Sequence, residues 1–284
     1  MKGLKMPAPL PSSVVYSCTF ANYDFTFGPL TRTPNAQFVR YGTTKPNWQG
    51  IWRHRPVPTE MEMANQTLTN RNFKFFPNLI APKSDVAVYI DGNILVRADL
   101  SPLIQEFWDS QADIALFPHI SGRSLEEEME FAAVHSIPEH ELGLLHSQRN
   151  KYELLDLLNT PVTENSILFY RRSSPKVTQI GEQWWKEIRR YCKRDQISLP
   201  FVLQQVEPRV HLWDWHFSKP TAKNLYFARH QHRPTGFIER NKSAAFFMKD
   251  YSIGYQALFG AIKVGGTIRG AQKNAFGYLR GGGK

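Results

Sequence analysis

Residues 84–96, SDVAVYIDGNILV, narrow the fold more than any other stretch of the chain. Val86, Ala87, Val88, Tyr89 and Ile90 are five consecutive strand-forming residues without polar alternation, and they run straight into Asp91. A strand that is apolar at every position is buried on both faces, so it belongs inside a sheet covered by helices. VVYSCTFANYD from Val14, FVRYGTT from Phe38, ADIALFPH and ENSILFYRR fit the same sheet. Helices are expected over residues 61–79 (closed by Pro82), 103–108, from Ser124 onward and 139–158, and ISLPFVLQQV after Asp195 reads as a further helix or a buried apolar segment. Another is expected in IGEQWWKEIRRYC, where Ile180, Trp184, Ile188 and Tyr191 share a face. Residues 45–59 read as a Pro- and Trp-rich connection. The alternation predicts an α/β chain: a three-layer domain with a mixed, mostly parallel sheet.

The chain has 284 residues, 42% of them hydrophobic, which is enough to bury a large core and excludes a mostly disordered protein. Its net charge of +10 is unevenly placed. Residues 1–218 hold 23 Lys+Arg and 23 Asp+Glu, whereas residues 219–284 hold 12 and 2. A neutral body with a cationic end argues against a nucleic-acid binder, and no nucleic-acid partner is expected. The economical division is a leader segment over 1–12, one domain of catalytic size over 13–238 and a basic tail over 239–284. In the tail, Tyr251, Tyr255, Leu258, Phe259 and Ile262 recur at helical spacing beside Lys249 and Lys263. Such a stripe either packs on the domain or lies on an anionic membrane surface. Cys18 and Cys192 match neither a metal knuckle nor a disulfide framework, which suits a reducing compartment. No apolar run reaches the roughly 18 residues of a bilayer span. The start, MKGLKMPAPLPSS, has prolines where a signal peptide needs an apolar stretch. The expectation is a cytoplasmic protein, peripheral at the membrane through its tail.

In open α/β sheets, ligands bind beyond the carboxyl ends of the strands. Asp24 and Asp91 stand at two such ends. Asp91-Gly92-Asn93 offers two oxygen ligands on one turn, a pattern that suits Mg²⁺ or Mn²⁺ holding a diphosphate. The same residues also read as a turn between two hairpin strands. Arg71 and Lys74, three apart, share a face of the preceding helix, where they either meet phosphates or form a solvated basic face. Asp195 opens a helix, as an N-cap or as a carboxylate aimed at an acceptor hydroxyl. His230-Gln231-His232 supplies imidazole for a third metal ligand at His230.

In chain order, VVYSCTFANYD, NRNFKFFPN, DVAVYIDGNILV, FPHISGRSLEEEMEFA, ENSILFYRR, QWWKEIRRYCKRDQISLPFVL and a histidine after NLYFARH resemble a known family. It is the glycosyltransferase-like domain family long catalogued as a domain of unknown function. Its members are bacterial proteins and plant Golgi proteins, one of the latter described as an alkaline ceramidase. The resemblance spans about residues 13 to 232 and implies a GT-A-like fold and a glycosyltransferase of polysaccharide biosynthesis. Its substrates would be a nucleotide-sugar donor and a glycan or glycoconjugate acceptor. The family's D-x-D metal motif implies Mn²⁺ (or Mg²⁺) at Asp91, with Asn93 where the second acid would stand. Asn93 keeps an oxygen ligand but loses a charge, which weakens metal binding.

On this reading the loop after the first strand, with Thr19, Phe20, Ala21 and Tyr23, holds the nucleotide. Arg71 and Lys74 face the phosphates, His119, Arg123 and Glu127 line the sugar pocket, and Asp195 faces the acceptor as base or orienting group. Two other readings compete. A lipid amide hydrolase of ceramide type would need an activated water, yet no H-E-x-x-H cluster is present. A non-enzymatic binding module would use the basic tail.

Overall fold

The protein, seen in a computed structural model, is described for residues 9–20, 28–43, 50–63, 65–217, 226–229, 257 and 260. The strands are β1 (Ser13–Thr19), β2 (Ala36–Gly42), β3 (Arg53–Arg55), β4 (Val86–Ile90), β5 (Ile94–Val96), β6 (Ile114–Pro118), β7 (Thr163–Arg171), β8 (Val210–Leu212) and β9 (Phe227–Arg229). The helices are α1 (Gln66–Phe75), α2 (Pro77–Ile80), α3 (Ser101–Asp109), α4 (Leu125–His135), α5 (Leu142–Glu153), α6 (Pro175–Arg190) and α7 (Asp195–Val206). By contacts the chain divides into two units, Met1–Arg229 and His230–Lys284. In the second unit residues 257 and 260 are helical and exposed, and the amphipathic stripe expected in the tail otherwise lies outside the described residues.

Seven strands form one sheet in the order β3-β2-β1-β4-β7-β6-β8. All neighbours are parallel except β7, which runs antiparallel to both β4 and β6. The mixed, mostly parallel α/β sheet expected from the sequence is therefore present. β4 lies at its centre with every residue buried. Alternate side chains enter two separate cores. Tyr16, Ala87, Tyr89, Leu168 and Tyr170 pack with Phe73, Phe75 and Trp184 on one face. Val15, Val86, Val88, Ile90 and Phe169 pack with Ile104 and Phe107 on the other. Each face thus removes its own set of apolar side chains from water.

Several local expectations are corrected. Residues 61–79 are not one helix. Asn65 caps α1 by accepting from the Thr67 and Leu68 amides at 2.8 and 3.3 Å. Phe76 then leaves helical geometry (φ −117°, ψ 64°), as the residue before a proline tends to, and Pro77 opens α2. The connection over 45–59 contains edge strand β3, hidden by its three-residue length. β4 and β5 do not form a hairpin, because the turn at residues 91–93 hands β5 to β9 in a separate two-stranded sheet. The helix expected over 139–158 is a 3₁₀ turn followed by α5, which ends at Glu153. Tyr191 falls beyond the last turn of α6, at the C-cap with extended geometry, and stays partly exposed. Among the described residues no helix is long and apolar enough to cross a membrane. Cys18 and Cys192 are buried free thiols.

Helix α1 carries two of the expected site residues, and its last turn is pinned by side chains from elsewhere in the fold. The Tyr16 hydroxyl donates to the Phe73 carbonyl at 3.0 Å, and the Tyr170 hydroxyl donates to the Lys74 carbonyl at 2.9 Å. These two phenols satisfy carbonyls that a helix end leaves without intrahelical partners. Phe75 stacks on Trp184 of α6, with ring centroids 4.1 Å apart and planes 14° apart. Gly181 allows this approach, since a Cβ there would sit 2.4 Å from the Phe75 carbonyl oxygen. Gly181→Ala is therefore expected to cost about 1–3 kcal/mol in urea unfolding. Gly143→Ala, in open space on α5, is expected to be neutral or stabilising by up to about 1 kcal/mol.

Candidate functional site

The carboxyl ends of β1, β2, β4 and β6 and the amino end of β7 share one edge of the sheet. Asp91 is the first residue beyond β4. Its amide donates to the Ser166 carbonyl of β7 at 2.8 Å, and its own carbonyl accepts from the Ile94 amide at 3.0 Å. These bonds fix the turn through Gly92 and Asn93. The Tyr89 hydroxyl donates to Asp91 Oδ1 at 2.7 Å, and the Asp91 side chain remains 24% exposed. Asn93 is buried within the turn.

Arg71 and Lys74 do share one face of α1, and the structure brings both to Asp195. Lys74 Nζ lies 2.5 Å from Asp195 Oδ2 and 4.0 Å from Asp91 Oδ1. Arg71 Nη2 lies 3.0 Å from Asp195 Oδ1. The Lys74 side chain is only 2% exposed, so this is a buried ion-pair network. Burial pushes the Asp195 carboxyl up, but Arg71 and then Lys74 pull it down further, leaving it below the ordinary carboxylate value.

Asp195 is not the N-cap of α7. That position belongs to Arg194, which makes no side-chain cap, and Asp195 is the first helical residue with its carboxylate turned to α1. Arg194 instead grips the fully buried Glu128 of α4, with Nε 2.6 Å from Oε1. Trp184 Nε1 donates to Ser198 Oγ at 2.9 Å, tying α6 to the same first turn of α7.

The other expected residues are placed as follows. The Thr19 hydroxyl accepts from the guanidinium of Arg40, and Phe20 is packed in the core with Tyr41 and Phe73. Ala21, Tyr23 and His230, like Asp24, lie outside the described residues. His119 follows β6 with Nδ1 3.0 Å from the Ser121 hydroxyl. Burial lowers its pKa, and the nearby carboxylates of Glu164 and Glu128 oppose that shift. Arg123 is turned onto α4, where Nη1 lies 3.0 Å from Glu128 Oε2 and the guanidinium sits 3.8 Å above the Phe131 ring. Glu127 accepts from the Ser124 amide at 2.8 Å in a capping box, so that side chain closes the helix start rather than a pocket.

Sequence reasoning missed Tyr89, Glu164, Ser166 and Arg229. Glu164, Asn165 and Ser166 open β7 as a polar triplet before its apolar run, at the strand end that meets Asp91. That triplet was the available signal. Among the described residues no group of three or more His, Cys, Asp or Glu side chains is placed to hold a metal ion.

No curated protein matches the chain. Among solved structures it is similar to apo mouse xyloside xylosyltransferase 1, at 9% identity and a TM-score of 0.43, covering 70% of this chain and 84% of that one. It is also similar to the apo WbbM bifunctional glycosyltransferase, at 14% identity and a TM-score of 0.42, covering 73% of this chain and 40% of that one. The model of the TOD1/MUCI70, glycosyltransferase-like domain matches residues 31–232, which include β4, the Asp91 turn, α1 and Asp195. The chain belongs to the TOD1/MUCI70 glycosyltransferase-like domain family.

Proposed function

We propose that this chain transfers a sugar from a nucleotide-sugar donor to a hydroxyl of a glycan or glycoconjugate, with the donor diphosphate held beside Asp91. The observation that carries this reading is the cluster of Arg71, Lys74, Asp91 and Asp195 at the carboxyl edge of the sheet, where such ligands bind. Two cations and two carboxylates cancel, so the cluster alone offers no net charge to a dianionic diphosphate. A divalent ion would supply it.

Asp91 Oδ1 is engaged by Tyr89, and the remaining oxygen belongs to a partly exposed carboxylate. One carboxylate and the Asn93 amide are hard oxygen donors. They suit Mn²⁺ or Mg²⁺ when substrate phosphates complete the coordination. When bound, the ion supplies neutralisation of the charge that develops on the departing diphosphate.

The chain's own residues do the rest by position. Tyr89 holds Asp91 in one orientation through its hydroxyl, Lys74 holds Asp195 in place, and the more exposed Arg71 presents a fixed cation that needs no rearrangement as the phosphate leaves. What supports an orienting role for Asp195, rather than that of a base, is its lowered pKa between two cations. A carboxylate held ionised in this way is a poor proton acceptor. The same reading gives His119 to the sugar pocket and the nucleotide to the loop after β1. The basic tail then serves surface association.

Incubation with a panel of sugar nucleotides and Mn²⁺ is expected to release nucleoside diphosphate from at least one donor, and Asp91→Ala is expected to slow that release by about a hundredfold. Full turnover by Asp91→Ala would remove Asp91 from the reading. Asp195→Asn takes from the buried Lys74 its nearest counter-charge, at an expected cost of about 3–5 kcal/mol at neutral pH. A carboxyl whose folded pKa lies below its ordinary value of 3.8 stabilises the fold fully above that pH and ceases to as pH falls through the folded value. Urea unfolding from pH 7 down to pH 2 is therefore expected to show a steeper loss in the parent protein than in Asp195→Asn.

A further inference from the structure

Linked to Asp91 through Ser166 is a second charged group that the site described above does not use. Arg229 ends β9 and pairs in register with Ile94, three residues after Asp91. Its Nη2 lies 2.8 Å from Glu164 Oε1 and donates to Ser166 Oγ at 2.6 Å. The Ser166 hydroxyl donates in turn to Glu164 Oε1 at 2.7 Å. The guanidinium also sits 5.0 Å from the centre of the Phe217 ring. Ser166 links this group to the turn directly, because its carbonyl accepts the Asp91 amide while its hydroxyl holds Arg229.

The two charges flanking Ser166 are more exposed than those on α1 and α7. The Arg229 side chain is 32% exposed and that of Asp91 is 24% exposed, whereas Lys74 and Asp195 are shut away. Glu164 is itself buried, with a side-chain exposure of 8%. Burial would push its carboxyl up, but the imidazole of His216, with Nε2 3.9 Å from Oε2, and the charge of Arg229 leave it well below the ordinary range. It therefore stays ionised and fixes one nitrogen of the guanidinium, while a guanidinium carries five N–H donors in a planar fork. An arginine already oriented by a buried carboxylate, a hydroxyl and an aromatic face loses little freedom on binding an anion.

We infer that Arg229 binds the donor's diphosphate beside the Asp91 turn, and that Glu164 and Ser166 are the positioning residues that aim it. The inference rests on the function proposed above. It adds a cation from the far end of the described chain to phosphate contacts otherwise drawn from α1.

The test is calorimetric titration with UDP, GDP, ADP and CDP, and with the matching nucleosides, in Mn²⁺. Parent protein, Arg229→Ala, Arg229→Lys and the double variant Arg229→Met with Glu164→Gln are compared. Removing both charges in the double variant avoids leaving Glu164 buried and unpaired, so loss of binding there is not a failure to fold when its unfolding transition is retained. The nucleoside diphosphate that binds the parent protein is expected to bind Arg229→Ala and the double variant roughly ten- to a hundredfold more weakly. Nucleoside binding should not change, and Arg229→Lys should recover part of the loss. Unchanged diphosphate affinity in the folded double variant overturns the assignment of Arg229 and leaves the proposed function standing. If no nucleoside diphosphate binds the parent protein, the proposed function falls, and this inference with it.

Discussion

Lys74 and Asp195 are 121 residues apart in sequence and meet at 2.5 Å with almost no exposure to water. Removing two such charges from water costs several kcal/mol for each, and their attraction offsets this only when the geometry is held closely. Much of the surrounding fold holds it. Tyr16 and Tyr170 fasten the last turn of α1 by its carbonyls, and Trp184 stacks on Phe75 while bonding to Ser198 in the first turn of α7. Arg194, beside Asp195, is anchored by Glu128 of α4. The buried pair brings α1 and α7 together at the carboxyl edge, and Arg71 adds a second bond to the same carboxylate.

A sheet with two buried faces leaves its polar chemistry to its edges, because unpaired charges inside either core would be too costly. Here the carboxyl edge gathers the charged groups into two balanced sets. One joins Lys74, Arg71 and Asp195 to Asp91; the other joins Arg229 to Glu164. The two most exposed members, Asp91 and Arg229, both reach Ser166 at the start of β7. That strand runs antiparallel to its neighbours, so its first residues, rather than its last, meet the ligand edge. A strand start in the midst of strand ends supplies Glu164 and Ser166 where a wholly parallel sheet would place the far end of a strand.

The parts of the fold that were legible in the sequence were those decided by local pattern. The apolar run through Ile90, the stripe of Ile180, Trp184 and Ile188, and the helix start at Ser124 each report burial or hydrogen bonding within a few residues. The shared face of Arg71 and Lys74 followed from helical spacing in the same way. The break at Phe76 was in principle legible from Pro77. The three-residue strand β3 and the pairing of β5 with β9 were not, since short strands carry little pattern and their partners are distant.

The sequence by itself determined that a doubly covered sheet would end at Asp91, that two cations would stand on one helix face, and that the excess positive charge would fall in the last quarter of the chain. These follow from periodicity and composition, which act over a few residues at a time. Only the tertiary structure decided that both cations meet Asp195, that Arg123 and Glu127 serve α4, and that Arg229 reaches Ser166 across 63 residues. The partner of a charge is set by which strand ends and helix turns are packed side by side. That packing is fixed by sheet order and by the two apolar cores, which no spacing of charged residues records.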